Sequence, residues 1–190
     1  LVTARPDELL PTVRSRCQQL RFGRLSPGDI AAVLMERHAY SAPDAHAAAS
    51  AADGSLGLAL EGGSAALVEA REAAAEMLQQ VAGTGDPRRR LESAKLLSGG
   101  GDREEVRRRL RALASMVRDL AVIGASAPRA PENDDRHLAN ADMGVPLRRL
   151  APAFDGERVS RAFAAIDRAL EAIDRNASPK IVADWLAFQL

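Results

Sequence analysis

Two guanidiniums, a hydroxyl and a thiol occupy four consecutive positions, Arg14-Ser15-Arg16-Cys17. A guanidinium gives planar, charge-assisted hydrogen bonds to carboxylate or phosphoryl oxygens. A thiol, once deprotonated, is a nucleophile or a metal ligand. Cys17 lacks the company that either task requires: it is the only cysteine, so it forms no internal disulfide, and His38, His46 and His137 sit in no nucleophile-type motif. A small buried thiol is therefore the expectation for Cys17. His38 and His46 lie eight residues apart across a helix break, with no Cys or acidic pair at ligand spacing, so no structural metal is expected. Arg16 is left as the candidate. Read alone, it is either a helix-terminal arginine paired with a surface carboxylate or a helix carbonyl, or a cation held out toward an anionic partner. Arg14 is the weaker candidate because a two-residue offset on a helix turns it away from the face of Arg16. Ser15 is expected to fix local backbone.

The surrounding chain must position these groups. With 190 residues, 46% of them hydrophobic, it can build a real core. Only 3% are aromatic, and the wealth of Ala, Leu, Arg and Glu disfavours a β-sandwich or barrel, so a mainly α fold is expected. Lys plus Arg and Asp plus Glu each total 26, which removes the basic excess of an autonomous nucleic-acid binder. Lys95 and Lys180 are the only lysines. No apolar run approaches the roughly 20 residues of a membrane helix, and a cytoplasmic protein is expected. Leu1-Val2-Thr3 reads as a strand entered in mid-course, without signal-peptide character, so the chain is expected to be a piece of a longer one.

Helix-start signals divide the rest. Ser26-Pro27-Gly28-Asp29 predicts a helix to about Arg37, and Ser41-Ala42-Pro43-Asp44 predicts a small-residue helix through Ala52. Asp53-Gly54-Ser55 opens a third, ended by Gly62-Gly63. Ile30, Val33, Leu34, Leu56 and Leu60 are expected to share one small core. Longer stripes follow: Leu67, Ala70, Ala74, Leu78 and Val81 after Ser64, then Leu91, Ala94 and Leu97 after Asp86-Pro87. Val106, Leu110, Leu113, Val117 and Leu120 recur at spacings of four, three, four and three, one continuous helical face. Another stripe runs Val159, Phe163, Ile166, Leu170, Ile173, and Ser178-Pro179 opens a last helix expected to turn Ile181, Val182, Trp185, Leu186 and Leu190 inward. Residues 125 to 146, broken by Pro128, Pro131, Gly144 and Pro146, predict a mobile loop with a short helical piece. Residues 1 to 24 predict an opening strand, a helix from about Glu8 to Arg16 and a strand at Gln19-Leu20-Arg21-Phe22, too little for a sheet of their own.

Leu10-Pro11-Thr12-Val13-Arg14-Ser15-Arg16-Cys17 resembles the Ser-Arg-Cys motif of clamp-loader subunits, the AAA+ proteins that open and close the sliding clamp in DNA replication. Leu1 to Leu9 is similar to the family's sensor-1 strand and the turn after it, and Leu25-Ser26-Pro27 to the start of its three-helix lid. Asp7-Glu8-Leu9-Leu10-Pro11 ahead of the motif makes the delta-prime type of bacterial DNA polymerase III the nearest likeness. Asn176-Ala177-Ser178-Pro179-Lys180 is similar to the opening of the last collar helix. The resemblance implies three parts: 1–24, the edge of an AAA+ α/β core; 25–62, the lid; and 63–190, a helical collar through which subunits join. It implies that Ser15, Arg16 and Cys17 form the motif and that Arg16 is an arginine finger, delivered in trans to ATP on a neighbouring subunit. The implied partners are a gamma/tau-type ATPase and the delta subunit, with the sliding clamp and primed DNA reached through the complex.

No cofactor is expected on these residues. Where ATP-binding members carry a sensor-2 arginine, this chain has Gly57, and no Gly-Lys-Ser/Thr phosphate loop occurs. Both absences favour an accessory polymerase subunit without catalysis of its own over the C-terminal part of the gamma/tau ATPase; a plain helical adaptor is the other alternative. Close helix packing is a second reason for a glycine at 57. Arg88-Arg89-Arg90 opposes the dipole of the helix it begins. Arg107-Arg108-Arg109 with Arg111 is expected to be a solvated face with i,i+4 pairing.

Overall fold

A computed structural model describes residues 2–3, 6–52, 54–60, 63–83, 85–125 and 138–190. Ten α-helices run through them: α1 Pro11–Arg14, α2 Pro27–His38, α3 Ala42–Ala51, α4 Leu56–Leu60, α5 Gly63–Gly83, α6 Pro87–Ser98, α7 Arg103–Ala125, α8 Gly144–Leu150, α9 Gly156–Asp174 and α10 Pro179–Gln189. The fold is mainly α, and no strand occurs among the described residues.

Residues 1 to 24 therefore depart from expectation. Gln19 to Phe22 has no regular structure, and Leu20 and Phe22 are exposed. A strand is stable only through a neighbour that takes up its N–H and C=O groups, and the described residues offer none. The expected helix over 8–16 shrinks to a 3-10 turn at Pro6–Glu8 and the single turn of α1. Leu1, Ala4 and Arg5 lie outside the described residues.

The two repeated start signals form as expected. Ser26 Oγ accepts from Asp29 N–H at 3.1 Å and donates to the Asp29 carboxylate at 2.7 Å. Ser41 does the same for Asp44, at 3.3 and 2.7 Å. Each pair satisfies one orphan donor of a helix start. Ile30, Ala31, Leu34, Ala45, Ala48, Ala49, Ala52 and Ala59 then bury together. Leu60 is exposed instead of inward; Leu58, two residues earlier, packs on this core. Gly54 has φ +79°, and its carbonyl accepts from Leu25 N–H at 3.0 Å. A Cβ there would sit 2.5 Å from Arg24 Cβ, so only glycine lets residues 24–25 lie against the turn.

α5 serves two cores. Leu67, near its start, belongs to the small one, while Ala74, Met77, Leu78 and Val81 belong to a larger one built from α5 to α10. The α7 stripe forms as its spacing predicts: Val106, Leu110, Leu113, Val117 and Leu120 are fully buried. Each contributes roughly 1.5–3 kcal/mol by leaving water. Val159, Ile166 and Ile173 of α9 are buried, with Phe163 and Leu170 half-buried at the stripe's edge. Three expected core residues face outward: Leu91 on α6 and Ile181 and Trp185 on α10. α6 turns Ser93, Ala94 and Leu97 inward, and α10 turns Val182, Ala183, Leu186 and Ala187 inward. Small residues on both buried faces let the helices approach closely and push the bulkier neighbours out. Beyond α7, residues 126–137 lie outside the described set, which covers most of the expected loop and His137. The short helical piece is the 3-10 turn Ala141–Met143 followed by α8.

Candidate functional site

Arg16 follows the end of α1. The backbone there is held by its own hydrogen bonds: Ser15 N–H to the Pro11 carbonyl at 3.0 Å, Arg16 N–H to Val13 at 3.2 Å and Cys17 N–H to Arg14 at 3.3 Å. Ser15 Oγ donates to the Thr12 carbonyl at 3.3 Å, so Ser15 braces the turn, the role expected of it. Arg14 is engaged with Asp7 at 3.4 Å, and both side chains are exposed. The guanidinium of Arg16 is exposed and has no ion-pair or hydrogen-bond partner among the described residues.

Cys17 is exposed, against the expectation of a buried thiol. It lies in the stretch 14–29, every residue of which is exposed, where no apolar neighbours enclose it. A cysteine's apolar character favours burial only where a core is at hand. His38 and His46 are exposed on α2 and α3. Among the described residues no three His, Cys, Asp or Glu side chains gather where a metal ion could sit. No described helix is long and apolar enough to cross a membrane.

Gly57 is exposed on α4, and a Cβ built there meets nothing nearer than Ser55 Oγ at 3.8 Å. Close packing therefore does not account for this glycine. What its presence does is remove any cation from this position of the helix.

Arg107 and Arg109 of α7 are engaged with other helices instead of lying on a solvated face. Arg109 is buried; it donates to the Leu96 carbonyl at 2.9 Å and to Glu69 at 2.8 Å, and it pairs with Glu105 one turn back. Arg107 binds Asp174 at 2.9 Å and Glu104, and the hydrogen bond to Glu104, more than that to Asp174, raises its pKa. Arg103 donates to the Asn176 carbonyl at 3.0 Å. These side chains stitch α7 to α5, α6 and the end of α9, and the expected i,i+4 pairing is seen in Glu105–Arg109.

A second polar cluster escaped the sequence reading. Asp119, fully buried, accepts from Ala139 N–H at 2.9 Å, Asn140 N–H at 2.8 Å and the Asn140 amide at 2.8 Å. The Asn140 amide also donates to Ser115 Oγ at 3.0 Å, and Arg71 joins it by donating to Asn140 Oδ1 at 3.2 Å and to Asp142 at 2.7 Å. The network clasps the chain returning after residue 137 onto α7 and α5. Its signal was faint: Ser115 and Asp119 stand four apart beside an apolar stripe, and Arg71 follows Ala70 in another. Near the other end of the bundle, Arg158 donates to the carbonyls of Leu190, Ala153 and Val81 at 2.7, 2.8 and 3.1 Å and lies 4.5 Å over the Phe154 ring.

Comparisons with protein-family models, with curated proteins and with solved structures find no match to this chain. The functional reading rests on its own residues.

Proposed function

We propose that the protein is an assembly subunit of a bacterial replicative clamp loader, of the delta-prime type of DNA polymerase III. In this reading it joins a gamma/tau-type ATPase and the delta subunit, and through that complex it serves the sliding clamp and primed DNA in the cytoplasm. Residues 25–62 are the lid, 63–190 the collar, and 1–24 the edge of an AAA+ core. The subunit hydrolyses nothing alone. As the bond to the γ-phosphate of a neighbour's ATP breaks, charge gathers on phosphoryl oxygens, and Arg16 meets it with charge-assisted hydrogen bonds. Hydrolysis then depends on correct docking of the two subunits.

One observation carries this reading: Arg16 is exposed and has no partner among the described residues, in a turn that Ser15 braces, while Arg14 lies 3.4 Å from Asp7. Gly57 supports the accessory role over the ATPase alternative, because no steric need explains it. The test is reconstitution of the full-length protein with a gamma-type ATPase, delta, clamp and primed DNA. Replacing Arg16 with Ala is expected to leave assembly intact and to slow stimulated ATP hydrolysis by about tenfold or more. Arg16→Lys is expected to rescue little, since a lysine lacks the planar fork. An unchanged hydrolysis rate in a complex that still assembles overturns the proposal and leaves a plain helical adaptor.

A further inference from the structure

We draw no further inference here: the strongest candidate, the open cleft lined by Glu69, Glu72 and Glu76 of α5 and by Lys95 of α6, is an acidic cluster whose buried arginine, Arg109, already donates to Glu69 and the Leu96 carbonyl, and no second observation there points to a ligand.

Discussion

Asp119 and Asn140 meet through a single atom: Asp119 Oδ2 accepts both the backbone N–H and the side-chain amide of Asn140, each at 2.8 Å. Among the described residues no cation pairs with this buried carboxyl group; the groups that meet it are hydrogen-bond donors. Asp119→Ala removes the acceptor of the Asn140 N–H, of one of the two amide contacts of Asn140 and of the half-buried Ala139 N–H, and the expected cost is about 3 kcal/mol, read as a lower urea midpoint. Amide exchange at Ala139 and Asn140 should accelerate more than exchange in α9. A loss within about 0.5 kcal/mol, the level of an ordinary surface substitution, would show that the clasp is not structural.

Two glycines give opposite expectations. Gly57 has open space around it, so Gly57→Ala should stabilise α4 by about 0.5–1 kcal/mol through helix propensity alone. Gly99 has φ +47° and ψ −133°, and a Cβ would collide with Glu105 and Arg109. Gly99→Ala should therefore cost about 2 kcal/mol or more. Thermal melts of the pair check both signs, and a destabilised Gly57→Ala would restore the packing explanation for that residue.

Ala39 ends α2 in the left-handed region at φ 54°, where a Cβ is unfavourable. Ala39→Gly is expected to raise stability by about 0.5–1 kcal/mol, less than the full strain because glycine also loosens the unfolded chain. Equilibrium unfolding in urea measures it, and a loss of stability contradicts the assigned geometry.

Cys17 is exposed one residue from Arg16, so a thiol reagent should label the native protein as fast as the denatured one. In the reconstituted complex the same thiol should become protected if the Arg16 turn lies at a subunit edge. Labelling that is unchanged by a bound gamma-type ATPase would remove this turn from the interface.

Local pattern determined a great deal. The start of α2 follows from Ser26 and Asp29 and that of α3 from Ser41 and Asp44, because a cap is made by residues three apart in the chain. The α7 stripe follows from its spacing, because burying one face of a long helix suffices to set it. Tertiary structure decided what those rules do not contain. Arg109 looks solvated by composition, yet Glu69 and the Leu96 carbonyl, brought in by other helices, satisfy it inside. Asp119 is buried because Asn140, 21 residues on, returns to it. Ile181 and Trp185 share the apolar character of Val182 and Leu186, and only the small-residue faces of α6 and α10 select which of them turns inward. Arg16 and Arg14 have the same chemistry and nearly the same address, both exposed; Asp7 lies 3.4 Å from Arg14, and no described carboxylate pairs with Arg16. Hydrophobic periodicity and capping act over a few residues, whereas the fate of a polar or surplus apolar side chain depends on partners tens of residues away.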